Sequence, residues 1–173
     1  MISKYFQKYC DYYLSHYTVT KKKFENILKR KISKDFFQKK ISIEEKKAFL
    51  DNISDVINYF DQLGAFNENL LIDSKINHFI KKGFSLKKIR IHLLKNYFDE
   101  KLINSKINLL DNDKNLKNTL MNNYLIKCRI VNEKSLISID EGEFNKLLKK
   151  FINQGFKYNE SLAFLKKNIT TNE

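Results

Sequence analysis

The chain has 173 residues, of which 42% are hydrophobic and 31% charged, and a formal net charge of +13. No apolar run approaches the ~20 residues that cross a bilayer, and the opening MISKYFQKYCDYYLSHY is too polar for the apolar core of a secretory signal, so a cytoplasmic protein with no membrane partner is expected. Cys10 and Cys128 stand alone, which leaves disulfide-scaffold, zinc and redox readings without support, whereas the charge by itself points to a polyanionic partner such as nucleic acid, an acidic protein face or a membrane surface.

The charge is clustered. From Met1 to Ile41 eleven basic residues stand against three acidic ones, and from Ser74 to Phe98 there are seven basic residues and no acidic one. Only Arg30, Arg90 and Arg129 are arginine, and the abundance of Lys, Asn and Ile is also what an AT-rich genome imposes, so the clustering is more informative than the total. Lysine neutralises phosphate as a point charge, which predicts backbone contacts tolerant of sequence.

In chain order, the basic N-terminal segment LSHYTVTKKKFENILKR comes first, a fainter copy of a helical segment further along. Ser42 and Glu45 then make a capping-box pattern. Phe49, Ile53, Val56, Ile57, Phe60 and Leu63 follow at intervals of three and four until Gly64, which predicts one helix of about five or six turns. After AFNE, a helix runs through Leu71, Ile72, Ile76, Phe79 and Ile80 to Gly83, and Ser85 can cap the next, with Leu86, Ile89, Leu93 and Leu94 as its apolar stripe. Asn96 or Asp99 can start a helix through Leu102, Ile103 and Ile107, and Leu116, Leu120, Tyr124 and Leu125 predict another. Val131 to Ile139 alternates enough to suggest a strand but lacks a visible second strand, so loop or irregular helix is expected there. The last pair of helices reads Phe144, Leu147, Leu148, Phe151 and Ile152, then Gly155, then Leu162, Phe164 and Leu165.

The chain repeats itself. FIKKGFSLKKIRIHLLKN, starting at Phe79, returns as FINQGFKYNESLAFLKKN, starting at Phe151, an offset of 72 that matches Phe79, Ile80, Gly83, Phe84 and Leu93 with Phe151, Ile152, Gly155, Phe156 and Leu165. At an offset of 65, Leu14, Thr20, Phe24, Leu28 and Arg30 fall on Phe79, Ser85, Ile89, Leu93 and Lys95, without the glycine. Three related helical units describe this better than unrelated hairpins.

Catalytic signatures are missing. His16, His78 and His92 have no zinc-binding spacing. The run DNDKNLKN from Asp111 opens like a calcium loop but has Leu116 where that loop needs glycine. The acidic pairs Glu44-Glu45, Asp99-Glu100 and Asp140-Glu141 each precede or open a predicted helix, where negative charge complements the dipole. With no phosphate-binding loop, GxSxG or Cys-His arrangement, neither an enzyme nor a cofactor is expected.

From Gly64, GAFNENLLIDSKINHFIKKGFSLKKIRIHLLKNYFDEKLI resembles the central module of the RecX family of bacterial recombination regulators: a Gly and apolar pair before an acidic pair, a helix, a basic Gly-aromatic turn and a basic helix. Asn67 and Glu68 stand at the acidic pair, Leu71 and Ile72 at the family's Phe-Ala, and Gly83-Phe84 at the turn. KLLKKFINQGFKYNESLAFLKK resembles the family's closing helices, and TKKKFENILKRK the second helix of its first module, with Lys replacing Arg almost throughout. The resemblance implies an all-α, elongated and curved array of three tandem three-helix repeats, spanning residues 1–64, 65–110 and 111–173. It also implies a monomer that binds the RecA filament on single-stranded DNA and inhibits its recombinase and ATPase activity in DNA repair and the SOS response.

The contact candidates are Lys21, Lys22, Lys23, Lys29 and Arg30 in the first unit and Lys87, Lys88, Arg90 and Lys95 in the second. Read from the residues alone, two other classes stay open. One is a stand-alone basic helical module that binds single-stranded nucleic acid strongly and in a salt-sensitive way without RecA, where the RecX-like reading expects only weak direct nucleic-acid binding, with Tyr or Phe available to stack on bases. The other is a structural adaptor whose charge is genomic style.

Overall fold

The computed structural model describes residues 4–113, 115–128 and 137–171. These form helices α1 (Lys4–His16), α2 (Lys21–Phe37), α3 (Ile43–Asp51), α4 (Ile53–Gln62), α5 (Glu68–Lys81), α6 (Leu86–Lys95), α7 (Glu100–Asp111), α8 (Leu116–Lys127), α9 (Glu141–Asn153) and α10 (Tyr158–Asn168), with two short strands, β1 (Ile137–Ile139) and β2 (Ile169–Thr171). The class is all-α. Among the described residues no helix is long and apolar enough to cross a membrane.

Two expectations are corrected. The single helix predicted from Ser42 to Leu63 is broken at Asn52 into α3 and α4. The Ser42–Glu45 capping box is present, but the Asn52 side-chain amide donates to the Ala48 carbonyl at 2.7 Å. Such a bond competes with the backbone ladder, which is why asparagine marks helix ends more often than interiors. The segment expected to be loop or irregular helix contains β1, which pairs in parallel with β2, Ile137 opposite Ile169 and Ile139 opposite Thr171. A parallel pair needs a crossover, here α9 and α10, so the partner lies 32 residues away and leaves no local trace. Residues 131–136 of that expectation lie outside the described residues.

The chain forms two compact units, Met1–Ile72 with Asn96–Phe98, and Asp73–Lys95 with Asp99–Glu173. In the first, α2 packs on α3 and α4. Its core centres on Phe24, fully buried against Tyr13, Phe60 and Phe66 and joined by Leu28, Ile32, Val56 and Cys10. In the second, α6 packs on α7, α7 on α8, and α10 on α9 and α8. Phe151 is its counterpart, buried among Tyr124, Phe156 and Phe164.

The glycine stops share one hydrogen-bond pattern. Gly83 donates to the Ile80 carbonyl at 2.9 Å and Phe84 to that of Phe79 at 3.0 Å, while Gly155 donates to Ile152 at 2.8 Å and Phe156 to Phe151 at 3.2 Å. Gly64 and Ala65 do the same to Asp61 and Phe60, and Lys39 and Lys40 to Phe36 and Asp35. These are Schellman closures, in which the residue after the helix takes positive φ: +73° at Gly64, +65° at Gly83, +97° at Gly155 and +54° at Lys39. The apolar contact that accompanies the motif is present twice, as Phe79 stacked on Phe84 and Phe151 against Phe156.

Positions aligned by the sequence offsets share burial. Phe24, Ile89 and Ser161 form one set and Leu28, Leu93 and Leu165 another, and all six are fully buried.

Candidate basic interface

The first turn of α2 holds Lys21, Lys22 and Lys23 and that of α6 holds Lys87 and Lys88, with no acidic residue in either. Cations at a helix N-terminus oppose the macrodipole, so each needs a compensating contact or a reason to remain exposed. Lys21 reaches Asp61 at 2.7 Å, and Lys22 and Lys29 both reach Glu25, at 2.8 and 2.6 Å. The bonds from Lys22 and then Lys29 hold the Glu25 carboxyl below its ordinary range. All three lysines are exposed, and exposed ion pairs are weak enough to exchange for an incoming anion.

Lys23 and Lys88 have a different role. Thr20 caps α2 by accepting from the Lys23 backbone at 3.1 Å, and its hydroxyl donates to the Asn96 carbonyl at 3.1 Å; Lys23 Nζ then donates to Asn96 Oδ1 at 2.7 Å. Ser85 caps α6 by accepting from the Lys88 backbone at 3.2 Å and donates to the Gln154 carbonyl at 2.7 Å, while Lys88 Nζ donates to Gln154 Oε1 at 2.5 Å. The caps and the lysines of the two latches are offset by 65 residues, whereas the gripped amides, Asn96 and Gln154, are 58 apart. A cap hydroxyl and a lysine three residues on grip one amide residue at the end of another helix. Both caps are buried. Gln154 is also buried, and its Nε2 donates to the Gly83 carbonyl at 3.2 Å. The sequence signal for this role was a lysine at the third helical position after a hydroxyl cap, where glutamate is the usual choice.

Arg90 holds Asn104 at 2.5 Å and Glu100 at 2.7 Å, so it ties α6 to α7. Arg30 is exposed and donates to its own helix at the Asn26 carbonyl, 3.2 Å away. Lys87 and Lys95 are exposed and have no carboxylate partner among the described residues. Of the nine predicted contact residues, the cations available on the surface are therefore Lys21, Lys22, Lys29, Arg30, Lys87 and Lys95.

Beside the second latch is an aromatic cluster that sequence reasoning passed over. Phe79 and Phe84 stack at 5.3 Å, His92 lies about equally close to both rings, and Lys88 and Lys127 sit over Phe84 at 4.8 and 5.3 Å. Burial, then the charges of Lys88, Lys95 and Lys82, pushes the His92 pKa down, so the ring stays neutral at neutral pH.

The acidic pairs serve helix N-termini. Glu45 completes the capping box of α3, Asp99 accepts from Leu102 at the start of α7, and Asp140 accepts from Glu143 at the start of α9. Burial pushes the Cys10 thiol up to about 12, which leaves it a core residue. Among the described residues no group of three His, Cys, Asp or Glu side chains is placed to hold a metal ion. No protein-family model, no curated protein and no solved structure matches this chain.

Proposed function

We propose that the chain is a RecX-like regulator. In this reading three tandem three-helix repeats, 1–64, 65–110 and 111–173, the first with its third helix broken into α3 and α4, form an elongated, curved array that binds a RecA filament on single-stranded DNA and lowers its recombinase and ATPase activity. The observation that carries the proposal is the recurrence of the latch, Thr20 and Lys23 on Asn96, then Ser85 and Lys88 on Gln154. A helix start that docks on another helix end twice, with caps and lysines 65 residues apart, is consistent with stacked modules in which each contacts its neighbours. The buried sets at 24, 89 and 161 and at 28, 93 and 165 support the same grouping.

Regulation would act through binding alone. Exposed lysines on successive modules make many weak contacts to the DNA phosphates and acidic surface of a filament, and repetition of the filament subunit turns these into avidity. The test is RecA's ATP hydrolysis on single-stranded DNA with this protein titrated in. Loss of ATPase well below one copy per RecA supports the reading, and loss only when the DNA is coated removes it. The informative variant is Lys87→Glu with Lys95→Glu, because Lys88 and Arg90 also hold the fold together. It should weaken inhibition about tenfold or more while leaving thermal unfolding unchanged. Full inhibition by that variant would remove α6 from the interface.

A further inference from the structure

The first unit contains a cleft that the contact candidates only graze. α1 meets α2 through side chains, with Tyr13 against Phe24 at 5.8 Å and Lys31 over the Tyr9 ring at 5.2 Å. The α2 positions on this side, Lys23, Ile27, Arg30, Lys31 and Lys34, recur at three and four, the spacing of a core stripe, yet all but Ile27 are cationic. Between them opens a cleft of about 600 Å³, extended by Gln38 and Lys40 beyond the helix end.

Its electrostatics are one-sided. Five cations line it against a single carboxylate, Asp35, which is buried and held through both oxygens by Lys31 at 2.7 Å. Arg30, Lys34 and Lys40 are exposed and have no carboxylate partner among the described residues. Gathering like charges in a concavity costs repulsion that a bound polyanion relieves. Opposite them stand Tyr9 and Tyr13, one helical turn apart and half-buried, with their rings 6.1 Å from one another. An acidic peptide would satisfy the cations but leave these rings unused. A duplex would bring phosphates with its bases already stacked on one another. Unpaired nucleotides use both walls, phosphates on the cations and bases on the rings.

We propose that the α1–α2 cleft is a binding site for a single-stranded nucleic acid, with Arg30, Lys34 and Lys40 taking phosphates and Tyr13 and Tyr9 stacking bases. The site stands independently of RecA and is tested without it. Binding of a fluorescein-labelled oligothymidylate of about 15 nucleotides is followed by anisotropy across a salt series, alongside oligouridylate, the matching duplex, polyphosphate and polyglutamate. The expected result is tighter binding of the single strands than of the duplex, with the thymidylate and uridylate arms showing whether DNA or RNA is preferred. Lys34→Glu with Lys40→Glu should lower affinity at least tenfold and reduce the salt slope by about 0.7 for each phosphate no longer neutralised. Tyr13→Leu, which keeps an apolar contact with Phe24, should cost about fivefold or more and narrow the gap between single strand and duplex. Unchanged binding in the Lys34 and Lys40 variant overturns the proposal. So does equal binding of duplex, polyphosphate or polyglutamate, which would reduce the cleft to a general anion surface.

Discussion

The two latches use the same grip in different surroundings. In the first unit Asn96 is only half-buried, and beside Lys23 the helix face opens into the tyrosine cleft. In the second unit Gln154 is buried and one methylene longer, long enough for its amide nitrogen to reach the Gly83 carbonyl as well. The space next to its lysine is filled by Phe79, Phe84 and His92. At the 65-residue offset these three align with Leu14, Val19 and Ile27. One unit has closed the region beside its latch with stacked rings, and the other has left it open and charged. The difference teaches that a repeated docking contact can be kept while its flank is shaped for packing in one copy and for a ligand in another.

The strongest way to break the comparison is at the glycines. Gly64 and Gly83 have nearly the same φ and the same closing bonds, but a Cβ on Gly64 would meet nothing within 4 Å, whereas one on Gly83 would fall on the backbone of Asn123 and Tyr124. Gly64→Ala should therefore cost only the left-handed strain, about 1 kcal/mol, and Gly83→Ala about 3 kcal/mol or more, read by chemical denaturation. Equal costs would mean that α8 does not press on the turn.

The latches themselves come next. Gln154→Leu strands the buried Gly83 carbonyl and removes the acceptor of the half-buried Lys88 ammonium, and should cost about 2 kcal/mol. Asn96→Ala, half-buried, should cost about 1 kcal/mol. A reversed order would show that the first unit depends more on its latch than its openness suggests.

The smallest effect is pH-dependent and belongs to the ring cluster. His92 has a folded pKa below the ordinary 6.5, so the unfolded chain takes up its proton first as pH falls. The contribution of His92 is complete above about pH 6.5 and is lost progressively below it, until the folded ring is protonated as well. His92→Gln should flatten the decline in unfolding midpoint between about pH 7 and about pH 5.5, and an unchanged decline would place its cause elsewhere.

Much of the local structure was legible in the chain. The capping box at Ser42, the cap at Ser85, the acidic pairs at helix starts and the closing glycines are read correctly because each depends on residues within one turn of one another. The break at Asn52 was missed because its apolar spacing continues unbroken through a residue whose side chain bonds back to the helix. The tyrosine cleft was missed for a related reason. Tyr9 and Tyr13 gain meaning only beside a stripe of cations on a different helix.

The sequence by itself determined most helix starts and stops, the break at Asn52 excepted, together with which faces are apolar and where positive charge is concentrated, since these follow from propensity, capping and periodicity along a single segment. Only the tertiary structure decided which lysines are available. Lys23 and Lys88 are bound to amides 73 and 66 residues away, and β1 found its partner across two helices. A surface lysine and a latching lysine have the same neighbours in sequence; what separates them is the distant oxygen that folding brings within reach.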